Sequence, residues 1–159
     1  KPAAPVISTQ GDDPELAEPA FEVFFAARHQ VDLFDDARPA LAFLAARFPI
    51  VALSNGNADV DRVGIGGHFR AAVSARSVGV GKPDRRIFEA AAEQAGVPPD
   101  AVLHIGDDPH LDGAGARAAG MQTAWINRAG QVWPDSLPRP HAQASHLGVV
   151  CDWFRSSPG

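Results

Sequence analysis

The sequence predicts an α/β fold in which a parallel sheet is covered by helices on both faces. Three observations lead there. Short apolar runs such as Pro49 to Leu53 and Ala101 to Ile105 lack the polar alternation of a half-exposed strand, so they read as strands buried on both sides. The segments between them carry apolar residues at three- and four-residue spacing, the mark of amphipathic helices. Strands and helices alternate along the chain at a spacing that calls for right-handed crossovers within one sheet.

Residues 1–13 are rich in Pro, Gly and Asp without periodicity and read as a tail. From Pro14 to His29, Leu16, Ala20, Val23, Phe24 and Ala27 mark one face of a helix. A second helix is expected from Ala37 to Arg47, with Leu41, Leu44 and Phe48 on one side, leading directly into the strand Pro49 to Leu53. Next are expected a helix near Ala58 to Gly64, a strand Ala71 to Ser74, a helix Asp84 to Ala95 closed by Gly96 and a strand Ala101 to Ile105. A helix Asp112 to Ala119 closed by Gly120 and a strand Gln122 to Ile126 continue the pattern. Beyond Asn127 the prolines at 134, 138 and 140 indicate a surface excursion, returning as a last short strand near Leu147 to Val150.

The 159 residues are one domain's worth of chain, 45% apolar and 21% charged. The longest apolar runs stop well short of the ~18 residues that a membrane-spanning helix needs, so no membrane partner is expected. The formal charge is −5 and the arginines are scattered rather than gathered into a basic stripe, which argues against a nucleic-acid partner. Cys151 is the single cysteine, so there is neither an internal disulfide nor a cysteine-based zinc cluster. Together with an amino terminus unlike a signal peptide, this suits a cytoplasmic protein.

In open parallel sheets ligands bind beyond the carboxyl ends of the strands, which directs attention to three clusters. Ser54-Asn55-Gly56 follows the first buried strand. It could serve simply as a turn, or the Ser54 hydroxyl and the backbone N–H groups behind it could hold an anionic oxygen. Gly79-Val-Gly-Lys82-Pro83 precedes a helix, in a chain with two lysines and twelve arginines. Pro83 is expected at the first helical position, and it restricts Lys82 to an extended backbone, fixing where a phosphate-pairing ammonium points. Ile105-Gly106-Asp107-Asp108-Pro109-His110-Leu111-Asp112 places three acids between a strand and a helix. Asp112 alone could be a helix cap, but adjacent carboxylates repel unless a cation neutralises them, and Mg²⁺ prefers such hard oxygen ligands. His104 and His110 receive no role, since a histidine in a buried strand is more often packing than ligand.

In order and in context, these clusters resemble the haloacid dehalogenase superfamily of hydrolases over roughly Val31 to Val150. Ser54 resembles its second motif, Lys82 its third, and Gly106-Asp107-Asp108 with Asp112 its fourth. The resemblance implies a Rossmann-like core with a helical cap and an aspartyl-phosphate mechanism, usually with Mg²⁺ as cofactor. It implies that Ser54, Asn55 and Gly56 contact a phosphoryl oxygen and that Lys82 neutralises the nucleophile and the developing charge. Asp107 and Asp108 would hold Mg²⁺, and Asp112 would steady the loop or Lys82. The metal-free dehalogenases carry Ser-Ser-Asn where this chain has Gly-Asp-Asp, which favours the phosphatase branch and a small phosphorylated metabolite as partner. The wording Leu53-Ser-Asn-Gly-Asn-Ala58, His104-Ile-Gly-Asp-Asp108 and Trp125-Ile-Asn127 looks most like flavin mononucleotide and riboflavin-pathway phosphatases.

The family's first motif, Asp-x-Asp-x-Thr/Val after the central strand, is not found. Asp12-Asp13 follows a polar stretch and Asp35-Asp36 precedes a helix. The expected division is therefore a tail with the last part of a helical cap at 1–30, and a hydrolase core lacking its first strand at 31–159. Roughly 90 or more further residues are expected before Lys1, carrying that strand and most of the cap. Without a nucleophile the 159 residues alone are expected to be inactive. A catalytically dead remnant that binds a phosphorylated ligand or a partner chain is the alternative. A receiver-like domain, which also gathers acids, a hydroxyl and a lysine, would show the acid pair after its first strand and the lysine after its last, the reverse of the order here. The oligomeric state is open.

Overall fold

The computed structural model of the chain describes residues 4–8, 33–56, 59–61 and 63–156. Six strands form one sheet: β1 (Ala4–Ser8), β2 (Val51–Ser54), β3 (Ala71–Ser74), β4 (Val102–Gly106), β5 (Gln122–Ile126) and β6 (Ala142–Ala144). Their spatial order is β3-β2-β1-β4-β5-β6. Every neighbouring pair is parallel. Among the described residues the α-helices are α1 (Ala37–Ala45), α2 (Ala75–Val78), α3 (Arg85–Ala95), α4 (Gly115–Ala118) and α5 (Leu147–Ser156).

All four residues of β2 and all five of β4 are buried, as unalternating apolar strands require. Successive side chains of β2 serve opposite faces. Ala52 joins Leu41 and Leu44 of α1 and Val150 and Cys151 of α5 in one core layer. Val51 and Leu53 join Ile87 and Phe88 of α3 and Ala116 of α4 in the other. Phe88 and Ile87 are fully buried, each contributing about 1.5–3 kcal/mol through removal of apolar surface from water. Asp84 starts α3 by accepting the Arg86 N–H, and Gly96 closes it at φ 75°.

The structure corrects four expectations. Residues 4–8 are not tail: they form β1, the strand between β2 and β4, with Val6 opposite both Val51 and His104. The core therefore does not lack its central strand. Pro5 concealed it, because a proline lacks the N–H that a ladder uses and normally argues against an interior strand. Leu147 to Val150 is not a strand but the first turn of α5. The apolar pair Val149-Val150 continues into Cys151 and Phe154 at helical spacing, and the Asp36 carboxylate accepts the Leu147 N–H at 2.7 Å from across the fold. The last strand is instead Ala142–Ala144. Near Ala58 to Gly64, the described residues make turns rather than a helix, with the Asp61 N–H held by the Asp59 side chain. Pro83 precedes the cap of α3 instead of opening the helix. The expected helix from Pro14 to His29, and with it the end of a cap, lies outside the described residues.

Candidate functional site

The three clusters meet at the carboxyl edge of the sheet. Ser54 ends β2 and is buried, its hydroxyl oxygen accepting the Gly56 N–H at 2.9 Å. That N–H is turned inward, so in this arrangement Gly56 does not offer it to a ligand. Asn55 reaches across to the loop before α3. Its side-chain oxygen accepts the Lys82 N–H at 2.5 Å and its amide donates to the Lys82 carbonyl at 2.9 Å. Gly81 makes room for this clasp: a Cβ there would lie 2.8 Å from the Asn55 oxygen. Asn55 thus sets the backbone of Lys82, a task the sequence alone does not reveal.

The Lys82 side chain runs inward. Its ammonium lies 2.7 Å from Oδ1 of Asp112, and the two side chains are only 1% and 3% exposed. Asp112 arrives through a π-helical turn, Pro109–Ala114, where the Gly113 N–H reaches the Asp108 carbonyl five residues back. Gly106 admits it, since a Cβ at that position would stand 2.3 Å from the Asp112 carboxyl carbon. The same Oδ1 lies 3.0 Å from Nε2 of His104, and Oδ2 accepts the Asp108 N–H at 3.1 Å. Burial would raise the Asp112 carboxyl, but the hydrogen bond from His104 and the charge and hydrogen bond of Lys82 outweigh that and hold it well below the usual carboxylate range. His104 shifts down, because burial disfavours the imidazolium more than Asp112 favours it.

The acid pair divides its labour. Asp108 is the cap of the turn that follows, its Oδ1 accepting the N–H groups of His110 and Leu111, both at 2.8 Å. The sequence reading considers that capping role for Asp112 and gives Asp108 to Mg²⁺. Asp107 is left with its carboxyl exposed at the strand tip, while its carbonyl accepts the Trp125 indole N–H at 2.9 Å. Although the residue is exposed, protein packed against one side desolvates the carboxyl and, with the charge of Asp112, raises its pKa. Among the described residues no group of three or more His, Cys, Asp or Glu gathers as a metal cage. Mg²⁺ does not require one, since it keeps several waters and takes one or two carboxylates. By that measure Asp107 fits as a ligand, whereas Asp108 has one oxygen already committed.

The residue that sequence reasoning passed over is His104. Its position in an apolar strand carried no periodic signal; only the register of β4, which puts Val102, His104 and Gly106 on the face toward Asp112, brings it into the cluster.

Comparison with known proteins places these features in context. Residues 3–120 match the family model of the haloacid dehalogenase-like hydrolases. The chain is 36% identical over 127 residues to the 5-amino-6-(5-phospho-D-ribitylamino)uracil phosphatase of Escherichia coli, which covers 77% of this chain and 53% of the relative. It is 36% identical over 124 residues to the phosphoserine phosphatase of Thermus thermophilus, covering 74% of this chain and 50% of the relative. The crystal structure of a 2-haloacid dehalogenase from Pseudomonas syringae superposes with a TM-score of 0.79 at 40% identity, over 87% of this chain and 60% of that one. The chain spans about half the length of the curated relatives it matches.

Proposed function

The chain belongs to the haloacid dehalogenase-like hydrolases, and from that premise we propose that it forms the core of a Mg²⁺-dependent phosphatase acting on small phosphorylated metabolites, in a cytoplasmic setting. The observation that carries this reading is Asp107, an exposed carboxylate just beyond β4 that no neighbouring described side chain engages and whose pKa is raised by partial burial and by the charge of Asp112. The resemblance gives the metal-free dehalogenases Ser-Ser-Asn at the place where this chain has Gly106-Asp107-Asp108. The two phosphatase relatives support the same branch, and the dehalogenase of similar fold keeps the other one in play.

In this reading Asp107 holds Mg²⁺, which when bound supplies charge neutralisation for a phosphoryl group. The Ser54 hydroxyl, accepting from Gly56, keeps its own hydrogen for a phosphoryl oxygen. The Asn55 backbone borders the same site. Lys82, anchored by Asp112, presents fixed positive charge to the reaction centre. The first motif's aspartate is absent from the end of β1, which closes with Ile7 and Ser8 and is followed in sequence by Thr9 and Gln10. With no aspartate directly after that strand, the 159 residues alone are expected not to turn over. That same gap favours, as a second reading, a catalytically silent module that binds a phosphorylated ligand or a partner chain.

The test is hydrolysis of p-nitrophenyl phosphate with and without Mg²⁺, beside halide release from 2-chloropropionate, using this chain and a form extended to carry an aspartate after the central strand. Mg²⁺-dependent phosphate release by the extended form alone supports the phosphatase. Halide release without metal overturns it. Silence in both assays, with Mg²⁺ and phosphate still raising the melting temperature, moves the binding module ahead.

A further inference from the structure

We propose that His104 is the positioning residue of this site: a neutral imidazole, protonated on Nε2, that holds Asp112 so that the Lys82 ammonium keeps one fixed direction. The geometry rests on three features. His104 is 1% exposed and its Nε2 lies 3.0 Å from the same Asp112 oxygen that receives the Lys82 ammonium at 2.7 Å. The ring meets Phe88 edge-on, centroids 5.2 Å apart at 87°, so it cannot swing without disturbing the α3 core. Its other nitrogen, Nδ1, is buried with no hydrogen-bond partner among the described residues.

That orphaned nitrogen assigns the tautomer. An Nδ1–H form would bury an unpaired donor and set the Nε2 lone pair against a carboxylate oxygen, and an imidazolium would bury the same unpaired donor as a charge. Only the Nε2–H form donates to Asp112 and leaves nothing worse than an unused acceptor. With that donor in place, Asp112 is fixed at Oδ1 by two groups and at Oδ2 by the Asp108 N–H, which also ties the acid to the loop bearing Asp107. Without it, the carboxylate could rotate about its last bond and carry Lys82 with it.

The proposal rests on the Lys82–Asp112 site but not on the reaction it serves, so its test needs no turnover. The chain has two lysines, Lys1 and Lys82, so ¹⁵N-lysine labelling isolates the buried ammonium. In the unmodified chain, long-range ¹H–¹⁵N spectra of His104 are expected to show Nε2 protonated and Nδ1 bare at neutral pH. Hydrogen exchange at the Lys82 ammonium is expected to accelerate by about tenfold or more in His104→Leu, the loss of roughly one buried hydrogen bond. His104→Gln, whose amide places an N–H near the old Nε2, is expected to restore slow exchange. A protonated Nδ1 in the unmodified chain overturns the proposal even if His104→Leu fails to fold. Unchanged exchange in a folded His104→Leu, or fast exchange in a folded His104→Gln, also overturns it. A phosphatase assay that fails while these signals hold would count against the function and not against the role of His104.

Discussion

Asn55 and Lys82, twenty-seven residues apart, are clasped by two hydrogen bonds in which one carboxamide satisfies both the N–H and the C=O of the lysine. This clasp joins the loop after β2 to the loop before α3. Asn55→Ala leaves both Lys82 backbone groups without that partner, and a stability loss of about 1–3 kcal/mol is expected in denaturant unfolding. Asn55→Asp keeps the acceptor but sets a carboxylate oxygen against the Lys82 carbonyl, so it is expected to rescue little.

The buried Lys82–Asp112 pair gives a second expectation. Lys82→Met or Asp112→Asn strands a charge or its partner in the interior, and each is expected to cost about 3–5 kcal/mol. The double variant Lys82→Met/Asp112→Asn is expected to lose less than the two singles summed, since no uncompensated charge remains. A double-mutant cycle by urea unfolding measures the coupling; strict additivity would show that the two side chains do not depend on one another.

Asp107 should behave in the opposite sense. Its folded pKa is raised above 3.8, so ionising it at higher pH works against the folded state. Asp107→Asn is therefore expected to raise the melting temperature in metal-free buffer above about pH 4 and, in the proposed reading, to abolish any stabilisation by added Mg²⁺. Calorimetry with and without the metal checks both halves.

Acid should unfold the protein in two stages. His104 titrates below its ordinary 6.5, so the unfolded chain takes up that proton first. This contribution is complete above 6.5 and is lost as pH falls from there toward the folded value. The Asp112 contribution is complete above 3.8 and is lost at lower pH still, because its folded pKa is depressed. His104→Gln is expected to remove the upper stage and leave the lower. Stability measured from pH 7 to pH 3 would show it, and an unchanged upper stage would assign that stage to another group.

The turn that carries Asp112 depends on Gly113. A Cβ there would sit 2.3 Å from the Trp133 ring, which packs edge-on against Trp125 with centroids 5.0 Å apart. Gly113→Ala is expected to cost about 1–3 kcal/mol through overpacking and to change the tryptophan fluorescence.

Much of this site was legible because its chemistry stands at strand ends. Ser54 and Asp107 each follow an apolar run that a soluble side chain interrupts, Lys82 follows a glycine pair, and Asp112 belongs to the same acidic cluster as Asp107. Asp108 reads, with Asp107, as a Mg²⁺ ligand because adjacency of two acids is visible in one dimension, whereas which of them turns back to cap the next helical turn is not. The strand at Ala4–Ser8 was hidden by Pro5, and the helix at Leu147–Ser156 by a β-branched pair at its start.

The sequence by itself determined the parallel α/β architecture, since periodicity and apolar runs are local signals that burial on one or two faces imposes directly. It also determined which residue types could meet a phosphoryl group. Only the tertiary structure decided which of them touch. The sheet order places β1 between β2 and β4, the β4 register turns His104 toward Asp112, and Asn55 finds the Lys82 backbone. Those pairings join positions distant in the chain, and their energy comes from desolvated contacts that exist only after the chain has closed on itself.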